Sequence, residues 1–245
     1  MTKTNSALQW LGEQYKQHPI ISALLQLEPK GFGSFLDVMV HHAIDEMLAE
    51  RMRVFYDELA EGTECLTEEL IQNHDFLHQY IATTRAVVRT RHKGKLKLFA
   101  RLLLHAASAE YLLSDARFEE YLAILDDLSI RELHVLLILQ SFENNYPHKN
   151  VEVEGKESAL ENDLQRAMRF WGKFETTVAT ECGIPPDQLS GFLARLSRTG
   201  LYEPFIGGYW NYTGGKGKLT PLYMEFAKWV HLEEFSSTGG EIEAP

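Results

Sequence analysis

Cysteine is nearly absent from this 245-residue chain, in which only Cys65 and Cys182 occur. A disulfide scaffold is therefore excluded, and both residues are expected as free thiols in a reducing compartment. No Cys-x-x-Cys pair is present. Long apolar runs are missing too. The greasiest stretches, Ile20–Leu27 and Leu102–Ala109, fall well short of the ~20 residues a spanning helix needs. No stable membrane insertion is expected. No apolar h-region follows Met1–Ser6, so no secretory signal is expected and the localisation is read as cytoplasmic. Proline is absent between Pro29 and Pro147, which suits long helices.

Catalytic signatures are also missing. There is no Gly-x-x-x-x-Gly-Lys-Ser/Thr loop, no Gly-x-Gly-x-x-Gly after a strand and no Gly-x-Ser-x-Gly elbow. Gly31-Phe-Gly33 is a bare turn signal beside helices. Neither cysteine has a predictable histidine partner, and no carboxylate pair is singled out for acid/base work. No catalytic residue and no cofactor is assigned, and the chain is read as non-enzymatic.

What is present is a helical pattern. Leu36, Met39, Val40, Ile44, Met47, Leu48, Met52, Phe55 and Leu59 step by three or four, which predicts a long amphipathic helix over 34–60. Thr67 is a good N-cap with acids after it, and the pattern runs on through Phe76, Tyr80 and Val88. Gly94 is the expected kink or break. A helix over 114–127 follows. Ser129 and Glu132 have capping-box spacing ahead of a helix over 130–142. Residues 144–155 read as a surface loop, with helix resuming near Ser158. The fold class is thus mostly α. An N-terminal helical bundle (1–127) precedes a second domain (128–232) and an acidic flexible tail (233–245).

The second domain carries the clearest signal. A helix, Gln188 to about Thr199, contains Leu193-Ala-Arg-Leu-Ser-Arg-Thr-Gly-Leu201, with Gly200 as its C′ residue. Short aromatic runs between glycine pairs then read as a hairpin. Lys218-Leu-Thr-Pro-Leu222 opens a last helix, with Thr220 as cap and Pro221 at N1. This order resembles the second half of a winged-helix domain with a two-stranded wing. The resemblance implies DNA binding, with the helix in the major groove and the wing on the phosphates. The candidate residues for DNA or a protein partner are Gln188, Gly191, Arg195, Arg198, Tyr209, Trp210, Lys216 and Lys218. Charge weighs against DNA. Residues 128–232 hold 11 basic and 12 acidic side chains, whereas many DNA-binding modules are clearly basic. The aromatic wing suits a protein interface equally well.

A second signal is cationic. No Asp or Glu occurs from Phe76 to Ala109, and Arg85, Arg89, Lys93, Lys97 and Arg101 are spaced by four. On one continuous helix they form a stripe able to bind an anion or an anionic membrane surface. Pairing with the acids Asp45, Glu46, Glu50, Asp57 and Glu58 is the simpler expectation. His74 and His78 lie one turn apart, and His41-His42 with Asp45 and Glu46 add two i,i+4 pairs. Neither set matches His-Glu-x-x-His, and no Glu-x-x-His motif is present, so no metal is assigned and a metal-dependent enzyme is set aside.

The N-terminal half has its own resemblance. Arg53-Val-Phe-Tyr-Asp-Glu-Leu59, the Leu66–Leu70 helix start, Lys97-Leu-Phe-Ala-Arg-Leu-Leu103 and Leu125-Asp-Asp-Leu-Ser-Ile-Arg-Glu-Leu133 carry it. It is similar to bacterial helical proteins of the abortive-infection alpha type. That resemblance implies a phage-defence or stress role and no catalytic residues. Two functions follow. One is a regulatory or interaction protein whose winged helix binds DNA or a protein while the bundle self-associates. The other is a defence effector or accessory acting on a membrane or host target. The latter would use the apolar segment 20–39, which is otherwise bundle core.

Overall fold

The computed structural model describes residues 13–26, 42–62, 66–108, 115–153, 156–206 and 215–237. The fold is mostly α. Among the described residues it forms two compact units: one holds those up to Asp127 with Trp229–His231, the other Leu128–Lys228 and Leu232–Ser237.

The first unit contains α1 (Pro19–Gln26), α2 (His42–Glu61), α3 (Glu68–Ile71), α4 (His74–Arg89), α5 (Lys93–Ala107) and α6 (Asp115–Asp127). Helix α2 packs mainly on α5, and α4 packs on α5 and α6. Their apolar stripes converge: Phe55, Leu59, Leu96, Phe99, Leu103, Phe118 and Leu125 are completely buried. Two tyrosines inside this core pair their hydroxyls. Tyr56 and Tyr80 share a hydroxyl hydrogen bond of 2.5 Å, and Tyr80 donates to the Leu24 carbonyl at 3.1 Å. Two expectations are corrected here. Thr67 caps only the single turn α3, because Asn73 accepts from the amides of Asp75 and Phe76 and starts α4 afresh. The cationic segment is two helices, broken at 90–92 with Gly94 inside α5. A continuous helix would stack five cations at i,i+4, where like charges repel.

The second unit contains α7 (Ile130–Asn145), β1 (Asn150–Val153), β2 (Lys156–Leu160), α8 (Asp163–Cys182), α9 (Pro186–Arg198), β3 (Tyr202–Pro204), β4 (Gly217–Leu219), α10 (Pro221–Trp229) and α11 (Leu232–Ser237). Ser129 and Glu132 form the expected capping box of α7. The expected loop at 144–155 instead contributes β1, antiparallel to β2 with Asn150 opposite Leu160. Val-Glu-Val alternates with the strand period of two, and Asn162 delays the next helix by capping α8 reciprocally with Gln165. Strand β3 pairs antiparallel with β4, with Tyr202 opposite Leu219 and Pro204 opposite Gly217. Gly200, at φ 77°, supplies the left-handed turn between α9 and β3. Thr220 caps α10 by accepting from the Tyr223 amide. Residues 233–237, expected within a flexible tail, are helix. Their reason is apolar: Leu232 and Phe235 are buried, and the Phe235 ring lies 5.1 Å from that of His134.

Candidate interaction surface on the second unit

Helix α9 has two faces. Leu189, Leu193 and Leu196 are buried, while Asp187, Gln188, Ser190, Gly191, Ala194, Arg195 and Arg198 are exposed. The periodicity is amphipathic, so α9 docks inward on leucines and leaves a face of small side chains. That face runs into an open groove of about 260 Å³ lined by Ser190, Leu193, Ala194, Ser197, Tyr202, Pro204 and Gly215. A methyl group added at Gly191 would meet nothing within 4 Å. Its glycine is therefore not required by packing within this chain.

Three of the cations around this face, Arg131, Arg195 and Lys218, are held, while Arg198 at the end of α9 is exposed. The Arg195 guanidinium lies 4.5 Å from the Phe192 ring, and Arg131 lies 5.1 Å from it. Arg195 Nε donates to Glu132 Oε1 at 2.8 Å. Glu132 is only 7% exposed, and its other oxygen accepts from the Ser129 amide and hydroxyl. Arg131 donates to the Cys182 and Gly183 carbonyls at the end of α8. Lys218 Nζ donates to Asp163 at 2.8 Å and lies 3.7 Å from Glu203. Burial opposes ionisation of Asp163, but Lys218, Arg166 and His148 together hold its carboxyl below the ordinary range. Beneath β4, Glu143 accepts from the Leu219 amide at 3.0 Å, and burial pushes its carboxyl up.

Of the residues expected to meet DNA or a partner, Gln188, Gly191, Arg195 and Arg198 share the exposed side of α9. Lys216 and Lys218 lie at and beside β4. Tyr209 and Trp210 lie outside the described residues. The reading missed Ser190, Ala194, Ser197 and Pro204. Their signal was the i, i+4, i+7 run of small residues at 190, 194 and 197. It also missed the carboxylates Glu132 and Asp163, which reach their cations across 63 and 55 residues of sequence.

The cationic stripe is not brought together as an anion site. Arg85 is exposed on α4. Arg89 bonds Asp126 at 2.8 Å, Lys93 reaches Glu50 at 3.1 Å, and Lys97 and Arg101 both reach Glu58, at 3.2 and 2.6 Å. Glu58 is 7% exposed, so its two cations neutralise a buried charge. His78 lies 3.8 Å from Glu119, and among the described residues no group of three ligands could hold a metal. No described helix is long and apolar enough to cross a membrane. No protein family, curated protein or solved structure matches the chain.

Proposed function

We propose that the protein is a non-enzymatic interaction protein. Its second unit is a winged helix that engages a macromolecular partner through the outward face of α9 and the adjoining groove at β3. The order α7, β1, β2, α8, α9, β3, β4 supports the winged-helix reading, with β3 and β4 at the base of the wing. One observation carries the functional reading: the small-residue face of α9 opens directly into the groove between Leu193, Tyr202 and Pro204. Small side chains let a partner backbone approach closely, and an apolar groove takes an anchoring side chain.

A photo-crosslinking amino acid at position 194 tests this reading, with position 47 on the exposed side of α2 as control. In the native cell a discrete adduct is expected from 194 and none from 47. A folded protein that gives no adduct from 194, or the same adducts from both, overturns it.

A further inference from the structure

Resting on that interface reading, we propose that the surface formed by α9, β3 and β4 selects a protein partner over nucleic acid, and that Glu132 and Asp163 are the residues that impose the choice. The surface has the cations a polyanion would need. Arg195 stands in the middle of α9, and Lys218 lies on β4. Each is already ion-paired within the chain, at 2.8 Å in both cases. To withdraw Arg195 from Glu132 onto a phosphate would leave that carboxylate, 7% exposed, with only the Ser129 amide and hydroxyl as donors. Moving Lys218 would leave Asp163 to Arg166 and His148 alone. The carboxylates thus offset the charge of Arg195 and Lys218, two cations that would otherwise help draw a polyanion to this surface.

What remains suits a polypeptide. Beyond the held pairs, α9 presents Ser190, Gly191, Ala194 and Ser197, with Asp187 and Arg198 of opposite sign at its two ends. Two residues past β3, Ile206 stands 96% exposed. An exposed isoleucine suits a protein interface. A nucleic-acid surface is rich in unopposed Arg and Lys. The partner is therefore a protein surface that inserts an apolar side chain between Leu193 and Pro204.

The test unmasks the cations. Binding of a fluorescein-labelled DNA duplex of ~20 base pairs is followed by anisotropy in the full chain, in Glu132→Gln/Asp163→Asn, and in that double variant carrying Arg195→Ala. Wild type is expected to show no saturable binding at ~50 mM salt. The double variant is expected to bind at least ~10-fold more tightly than wild type, with a log–log salt slope near −2 for two released phosphate contacts. Arg195→Ala should remove about half of that slope. Glutamine keeps the capping box with Ser129, so Glu132→Gln is expected to fold. If the double variant does not melt cooperatively, the single variants Glu132→Gln and Asp163→Asn are read instead, each freeing one cation and each expected to bind the duplex with a salt slope near −1. A folded unmasked variant that still ignores DNA overturns the assignment of Glu132 and Asp163. Saturable DNA binding by wild type overturns the choice of partner. Neither result touches the interface itself, which the crosslink at position 194 decides.

Discussion

Two exposed glycines sit inside helices with no packing reason to be there. An added methyl meets nothing within 4 Å at Gly172 in α8 or at Gly191 in α9. Glycine in a helix interior costs ~0.5–1 kcal/mol relative to alanine through lost backbone entropy. Gly172→Ala and Gly191→Ala are each expected to stabilise the second unit by ~0.5–1 kcal/mol in urea unfolding. Gly217 is the contrast, because a methyl there would collide with the Glu203 carbonyl and the Tyr202 ring, so Gly217→Ala should destabilise. Cys182 offers a second residue-level check. It is 6% exposed, and burial pushes its thiol up to about 11. In a Cys65→Ser background the thiol is expected to ignore an aromatic disulfide reagent while folded and to react fully in denaturant. Rapid native labelling would contradict the packing of α8.

The break between α4 and α5 decides what the cationic segment does. Lys93 starts α5, and Arg53 together with Lys93 holds the Glu50 carboxyl down to about 2. A carboxyl held below its ordinary value of 4.5 stabilises the fold above that pH, and the contribution disappears as pH falls from 4.5 towards 2. Glu50→Gln should therefore lower stability near neutrality, flatten its loss on acidification, and converge with wild type at the acid end. Glu50 is 39% exposed, so the effect is small and shrinks with salt. At the C-terminal end, α11 is anchored by Phe235, and Phe235→Ala should cost the second unit ~3 kcal/mol in thermal or urea unfolding. Elements defined by local hydrogen bonding were legible in the sequence: the capping box of Ser129 and Glu132, the Thr220 cap and the turn at Gly200. The break at 90–92 was not, because it contains neither glycine nor proline, and the glycine nearby lies within α5. Strands β1 and β2 were not, because four- and five-residue runs carry too few alternations to outweigh a polar composition.

At the scale of the molecule, the net charge of −11 is unevenly spread, and the chain from 128 to 232 is close to neutral. Composition alone leaves a DNA-binding face open, since a neutral domain can still present arginine on one side. The fold adds pairings that composition cannot show. Glu132 and Asp163 come from α7 and α8 to meet Arg195 and Lys218, and sequence spacing cannot show such pairings because nothing local links the partners. The inward leucines of α9 were legible from period alone, whereas the groove against Tyr202 and Pro204 required the course of β3. Hydrogen exchange on the complex with the partner captured at position 194 tests the interface most directly. Amides over 190–204 are expected to slow at least ~10-fold on binding while those of α5 keep their rates. Slowing confined to α5, with 190–204 unchanged, would place the interface elsewhere and contradict the proposed function.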